Sequence, residues 1–492
     1  MTATASAGSS AKDAEGGAEA ARARAADRAR WLEAGLDRAA RSSGWTSVVV
    51  PAALAEPALL ATTAGGPTDG VAVWWPPRGE ALVGLGAAAI VRGHGAGRWQ
   101  QVREQAEALC ARIDSRVVAG ELVTTSPHLG PARPRLLGGL SFSPGSAAAP
   151  PWTALGDAWF MLPRWTYVSD GNSALLTLCV DRERAGERAR LRAELAAIDK
   201  ALAAGRHAGR PRARVAELTE DGEAWMECVA AARDFINAGG ADKIVAARCQ
   251  HLRLGEPVRA GDVLAALAER HPDCYRVMVA PEQMPEQTAE QAVWLAATPE
   301  RLVQRSGRRV LCDALAGSIP RRGDTEAELA ALLASSKERR EHDLVVTAIA
   351  DTLRQLGVQV EHDAAPAVRS LRHVHHLATP IQGDLTRDVH VLDIAAALHP
   401  TPAVGGTPTA TAIDWLLAHE SQPRGWYAAP IGWFDRQGDG ELAVGIRSGL
   451  LAGDSAHLWA GAGIVGASEP ARELAETQVK LRALRGALGL DE

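Results

Sequence analysis

The sequence predicts a soluble globular protein that mixes strands and helices, and three observations carry that expectation. Residues 46–50, 70–75 and 80–86 are short β-rich runs cut by Pro and Gly. Residues 337–351 and 469–481 instead space their apolar side chains at the three-to-four period of an amphipathic helix. With 492 residues, 47% hydrophobic and 23% charged, the chain can bury a large core, and length alone allows about two to four domains.

Taken in order, residues 1–20 are rich in Ala, Gly, Ser and Thr, offer almost nothing to bury, and are expected to be a disordered tail. From residue 21 to about 41, Leu32, Leu36, Ala39 and Ala40 mark one face of a first helix. After the three strands named above, a helix is expected near residues 100–113 and a strand at 136–142. A Pro/Ser/Ala loop follows at 143–151, then two strands on either side of Pro163 within 152–180. Residues 182–205 read as a charged helix and 206–214 as a basic connector.

Charge and cysteine usage exclude several classes. A net charge of −6 argues against a nucleic-acid or anionic-membrane partner. Six scattered cysteines without a C-x-x-C pair suggest neither a zinc site nor a disulfide framework. No run approaches 18 apolar residues, and residues 1–27 lack the apolar core of a signal peptide, so a cytoplasmic location is expected. Walker A, G-x-S-x-G and H-E-x-x-H patterns are absent.

In the second half, polar residues sit where a plain core would not put them. A helix over 221–237, closed by Gly239 and Gly240, precedes a strand at 242–248. Lys243 shares parity with Val245, Ala247 and Cys249, so it leans toward their buried face or, as a strand-end residue, reaches water. A half-buried lysine loses proton affinity and becomes a base. Arg248 has the opposite parity. Residues 297–304 and 309–315 form an expected hairpin, broken by a loop at 316–318. Glu300, just after a proline, is either a rim charge or a general acid. In the helix 337–351, Glu341 lies on the apolar stripe of Leu344, Val345, Ala348 and Ile349.

Strand alternation puts His373 and His375 opposite His376, so one imidazole is expected to face a pocket. The Pro- and Gly-dense stretch 398–408 reads as an ordered loop of the kind that lines sites. Arg447, within an expected strand 441–450, is placed to fork onto a carboxylate, or is a surface arginine. Near the C-terminus, residues 458–460 extend and Gly461 and Gly463 form a turn that admits close approach of a ligand. Ser468 is the expected N-cap of a helix starting near Glu469. Glu473, Glu476 and Lys480 share one face of that helix. Turned inward, the two carboxylates call for a hard cation; turned outward, they form a solvated acidic face. Gly461–Gly466 matches G-x-G-x-x-G, but the chain ends too soon afterwards for a dinucleotide fold.

In this order, Asp242-Lys-Ile-Val, Thr-Pro-Glu300, Leu-Ala-Gly-Ser318, Lys-Glu-Arg-Arg-Glu341-His, His376-Leu-Ala-Thr-Pro, Leu-His-Pro-Thr-Pro-Ala403, Ile-Arg447, Ala-Gly-Ala-Gly463 and Glu473-Leu-Ala-Glu-Thr-Gln-Val-Lys480 closely resemble the chorismate-utilising enzymes. Within them the motifs resemble the isochorismate synthases of siderophore and menaquinone pathways. The resemblance is strong over residues 220–490 and one of texture before that. It implies one α+β unit, two large antiparallel sheets packed face to face with helices outside, which overrules the domain count from length. Residues 21–215 would be its N-terminal part and 216–492 the chorismate-binding catalytic region.

The resemblance also implies roles. Lys243 would be the base that activates water for attack on C2 of chorismate, and Glu300 the acid that protonates the departing C4 hydroxyl. Glu341 and Glu476 would bind Mg²⁺ directly, with Glu473 through water. Arg447, Lys480 and the amides around Gly461 and Gly463 would receive the carboxylates, and Ser318, His376 and Ala403 would line the ring pocket. A lysine at 243 disfavours the ammonia chemistry of anthranilate synthases, so no glutaminase subunit is expected, and the chain is expected to act as a monomer. The alternatives are a salicylate synthase, which adds a pyruvate-lyase step, and a non-catalytic chorismate-binding subunit, which would be expected to have lost one of these residues.

Overall fold

The computed structural model describes residues 7–63, 69–118, 121–122, 133–204, 209–219, 221–283, 292–323 and 325–490. The expected connector at 206–214 therefore lies partly outside the described residues. Among those described, 22 strands join one hydrogen-bonded network, accompanied by 11 α-helices. The pairing is antiparallel except between Trp45–Ala52 and Ile113–Val118. This is the α+β single unit expected, with its sheets continuous through shared strands. The two halves of the chain interleave: Val71–Trp75 pairs with Tyr275–Ala280, and Arg135–Leu140 with Pro430–Asp435. No helix among the described residues is long and apolar enough to cross a membrane.

Fully buried Trp74, Trp152, Trp159, Trp294 and Trp426 anchor the interior, each removing a large apolar area from water. A separate small core of Trp225, Val229, Ile244, Trp415 and Ile464 packs the helix Gly222–Asn237 against the strand Lys243–Leu254. That strand is the backbone of the site. It pairs along its length with Ser455–Ile464, setting Val245 opposite Gly463 and Ala247 opposite Gly461.

Several local expectations are corrected. Residues 7–20, expected as a tail, belong to a helix running Ala7–Ala39; an alanine-rich stretch carries helix propensity even where it has little to bury. Pro163 lies inside the strand Ala158–Ser169 rather than between two strands. It sits where one neighbour changes from Arg135–Leu140 to Ala174–Val180 and the other bulges at Ala88, so no ladder N–H is demanded of it. Residues 316–318 do not end their strand. Gly317, at φ +75°, makes a bulge in a strand that continues to Pro320, and a Cβ there would meet the Glu338 carbonyl at 2.7 Å.

Arg447 is not within a strand but at the break between Gly440–Val444 and Ser448–Ala452, with φ 50°. Gly461 and Gly463 lie in the strand Ser455–Ile464 rather than in a turn. The C-terminal helix spans Pro470–Ala487 with Glu469 at the N-cap position, so Ser468 stands one residue earlier; its hydroxyl accepts the Val465 N–H at 3.1 Å.

Candidate active site

Every site residue named from the sequence lines one cleft of ≈ 180 Å³, room for a small organic acid: Lys243, Glu300, Ser318, Glu341, His376, Ala403, Arg447, Gly461, Gly463, Glu473, Glu476 and Lys480. They arrive from separate elements. The antiparallel pairing of Arg309–Pro320 with Val374–Leu385 puts Ser318 beside His376. Helix Ser336–Gln355, whose N-cap Ser335 accepts the Glu338 N–H, carries Glu341 across to Lys243.

Lys243 is buried, and its Nζ donates to Glu341 Oε1 at 2.6 Å. Burial alone would raise the Glu341 carboxyl, but the Lys243 ammonium holds it below its ordinary range. Gly463 leaves room for this pair. A Cβ there would lie 2.8 Å from Lys243 Cε and 3.6 Å from Glu341 Oε1. From the sequence a ligand is expected to approach this glycine; the group that the structure brings against it is the ion pair.

Glu300 is 4% exposed and follows Pro299 between the strands Ala292–Thr298 and Arg301–Ser306. Its N–H donates to Thr298 Oγ1 at 3.2 Å and its carbonyl accepts the Val444 N–H at 3.0 Å. Burial, reinforced by the nearby Asp313 carboxylate, pushes its acid up to about 8, against the opposing pull of Lys243, Arg369 and Arg447. At neutral pH it is a carboxylic acid able to donate a proton.

Arg447 Nη2 donates to His376 Nε2 at 3.1 Å, so that nitrogen must be the acceptor and Nδ1 carries the proton toward Ser318 Oγ at 2.6 Å. Burial and then the Arg447 charge push His376 well below its ordinary range, which keeps it neutral. Among the described residues the hydrogen-bond partners of the Arg447 guanidinium are His376 and the Cys274 thiol, and no salt bridge to a carboxylate forms. A cation at a cleft wall without a protein counter-ion is a receptor for an anion. Lys480 Nζ, by contrast, is held by Gly461 O at 2.9 Å and Glu476 Oε1 at 2.7 Å.

The cleft also receives Glu338, giving four carboxylates at one end with Glu341, Glu473 and Glu476. Burial raises Glu338, and the charges of Glu341 and Glu476 raise it further; Glu473 is raised by burial and then by Glu476. Carboxylates that repel one another across a cleft suit a cation. No group of three His, Cys, Asp or Glu residues is gathered tightly enough to cage a metal unaided, among the described residues. Few protein ligands with several waters is the arrangement Mg²⁺ accepts.

Periodicity signals Glu338, which stands three residues before Glu341 on the same helix face. Val404 lines the cleft from the Pro- and Gly-dense loop 398–408, as expected of it; Arg424 and Tyr427 line it from a segment without any repeat, and nothing in the sequence pattern points to them. Elsewhere, Arg248, of opposite parity to Lys243, ties its strand to Asp221 at 2.6 Å and to Thr477 of the C-terminal helix at 2.9 Å.

Comparison with known proteins gives the family. The family model described as chorismate binding enzyme matches residues 31–489. The salicylate biosynthesis isochorismate synthase of Pseudomonas aeruginosa is 37% identical over 435 residues, 85% of this chain and 86% of that relative. The isochorismate synthase MenF of Bacillus subtilis is 35% identical over 425 residues, 85% and 87% of the two chains. Among solved structures, MenF, the menaquinone-specific isochorismate synthase of Escherichia coli, superposes with a TM-score of 0.74 at 25% identity, over 92% of this chain and 99% of that one. With its motifs, its fold and nearly its whole length matched, this chain belongs to the chorismate binding enzyme family.

Proposed function

We propose that the protein is an isochorismate synthase, an isomerase that adds water at C2 of chorismate and expels the C4 hydroxyl. The observation that carries the reading is the pairing, in one cleft, of a buried lysine with a buried glutamic acid that keeps its proton at neutral pH. Lys243 takes a proton from water as the new C2–O bond forms. The ring double bonds shift, the C4–O bond breaks, and Glu300 gives its proton to the departing oxygen, so that one water enters and one leaves. Arg447, which forms no salt bridge to a carboxylate among the described residues, receives a substrate carboxylate, and Lys480 with the strand around Gly461 and Gly463 receives the other. Neutral His376, fixed between Ser318 and Arg447, and Ala403 flank the ring.

Glu341 and Glu476 would hold Mg²⁺ directly, Glu473 through water, and the neighbouring Glu338 completes the acidic end. When bound, the ion supplies Lewis-acid polarisation of the ring carboxylate. As a ligand of the ion Glu341 would no longer be held by Lys243 alone, and the Lys243 amine would be left to face the attacking water. Water needs no amidotransferase to deliver it, so the chain acts without a glutaminase subunit.

The test is incubation of the purified protein with chorismate and Mg²⁺, with isochorismate, salicylate and pyruvate separated by chromatography. Isochorismate alone is expected. Stoichiometric salicylate and pyruvate would replace the isomerase reading with that of a salicylate synthase, and absence of any turnover would leave a binding subunit.

A further inference from the structure

The strand Lys243–Leu254 is paired throughout on one side by Ser455–Ile464 but only at its ends on the other. There Gly406–Thr407 reaches Lys243 and Ile244, and Val215–Thr219 reaches residues 251–254. Between them the edge at residues 245–250 has no strand partner; beside Lys243 the Val245 N–H donates to Gly405 O at 3.1 Å, which leaves Val245 O and the Ala247 N–H to be met by side chains, and Val245 and Ala247 line the cleft. Buried backbone groups without partners cost free energy and let an edge drift.

Two side chains fill that gap. Glu420, at the end of the helix Thr409–His419, accepts the Ala247 N–H on Oε1 at 2.8 Å. Arg424 donates from Nη2 to Val245 O at 2.5 Å and from Nη1 to Val404 O at 2.8 Å, and forks onto Glu420 with Nε at 2.8 Å and Nη2 at 2.5 Å. Its Cζ lies 4.2 Å above the Phe142 ring, which shields the pair from water. Arg424 and Glu420 side chains are 3% and 8% exposed. Val404 adjoins Ala403, so one guanidinium holds both the strand that presents Lys243 and the loop that forms the ring wall.

We propose that Glu420 and Arg424 form a positioning clamp that stands in for the missing strand at residues 245–247 and fixes the spacing between the Lys243 amine and the ring pocket. The inference rests on the isochorismate synthase reading for its catalytic consequence, but not for its structural one. A lysine at 424 keeps the charge near Glu420 and lacks the planar fork needed to reach Val245 O and Val404 O together. Arg424→Lys is therefore expected to stay folded and to bind chorismate within about threefold of wild type. Its kcat should fall about tenfold to a hundredfold, since a misplacement near 1 Å at a reacting group costs that much.

Hydrogen exchange gives a readout independent of activity: the Ala247 amide should exchange at least about tenfold faster in Arg424→Lys, while amides of the core strand Ala158–Ser169 stay unchanged. Glu420→Gln, which keeps Oε1 as an acceptor for the Ala247 N–H but sets an amide NH2 against Arg424 Nε, should lose less of that protection and less turnover than Arg424→Lys. Wild-type exchange at Ala247 in folded Arg424→Lys would overturn the clamp. So would a kcat loss that merely follows a uniform loss of protection across the sheet. A wild-type protein that makes no isochorismate would instead defeat the functional reading and leave the exchange result standing.

Discussion

Replacing Glu300 by glutamine separates its proton from its shape. In the folded protein the acid sits near 8 against an ordinary 4.5, because burial and Asp313 disfavour the charged form. Between those values the folded chain holds a proton that the unfolded chain has released, so this group makes stability fall as pH rises, by about 1.4 kcal/mol per pH unit. Over the full interval the loss comes to about 5 kcal/mol, complete above about pH 9 and absent below about pH 4. Glutamine has no such proton. Urea unfolding of wild type and Glu300→Gln at a series of pH values should give a stability difference that is flat in acid and grows through neutrality in favour of the variant. It should level off in alkali, with other titrating groups cancelling between the two proteins. The same substitution should cut turnover by roughly 10²-fold to 10⁴-fold with chorismate binding retained, and wild-type kcat should decline on the alkaline side. A stability difference that stays constant within about 1 kcal/mol from pH 5 to 9 would refute the raised acid, and near-normal turnover of the variant would remove Glu300 from the proton-donor role.

Lys243→Ala should lose turnover by roughly 10²-fold or more while still binding chorismate in calorimetry; an active variant would mean that another group activates the water. Gly463→Ala should fold normally, because its Cβ would press on the flexible end of Lys243 at 2.8 Å rather than on backbone, yet lower kcat by pushing the amine aside; an unchanged kcat would show that this contact is not needed. Chelation should abolish activity, Mg²⁺ should raise the Tm of wild type by binding the folded state, and Glu341→Gln or Glu476→Gln should weaken both effects. Full activity in excess chelator would dismiss the metal. Turnover of chorismate should need neither ammonia nor an added amidotransferase, and an aminated product would contradict the choice of water as nucleophile.

The parts legible in the sequence are those where residue type and local period carry the information. Glu341 betrays itself by standing on an apolar helical stripe. Parity misleads for Lys243: Ala247 and Cys249 on its face are half-buried because that face borders the cleft, while Ile244, Ala246, Arg248 and Gln250 form the buried face. The ordered motifs then place Glu300, His376 and Lys480 in one site. Less legible were features set by partners distant in the chain. Arg447 owes its position to a break with positive φ, and Gly461 and Gly463 lie in a strand because the Lys243 strand pairs with them. Gly317 bulges with positive φ where the Glu338 carbonyl would leave no room for a Cβ, and no local pattern encodes that packing of strand against helix. Pro163 looks like a strand breaker until its neighbours on both sides are known.

The interleaving of the two halves has a consequence for synthesis. As the chain leaves the ribosome, Val71–Trp75 must wait for Tyr275–Ala280, about 200 residues later, before that ladder can close. Arg135–Leu140 must wait for Pro430–Asp435, nearly 300 residues later. At roughly 5–20 residues per second these hydrophobic edges stand open for about ten seconds to a minute, long enough for strands of neighbouring nascent chains to find one another. Yield in a host should therefore depend on chaperone supply and growth temperature more than the stability of the finished protein would suggest. Expressing residues 216–492 alone would yield no smaller working enzyme but a sheet with its inner seams exposed.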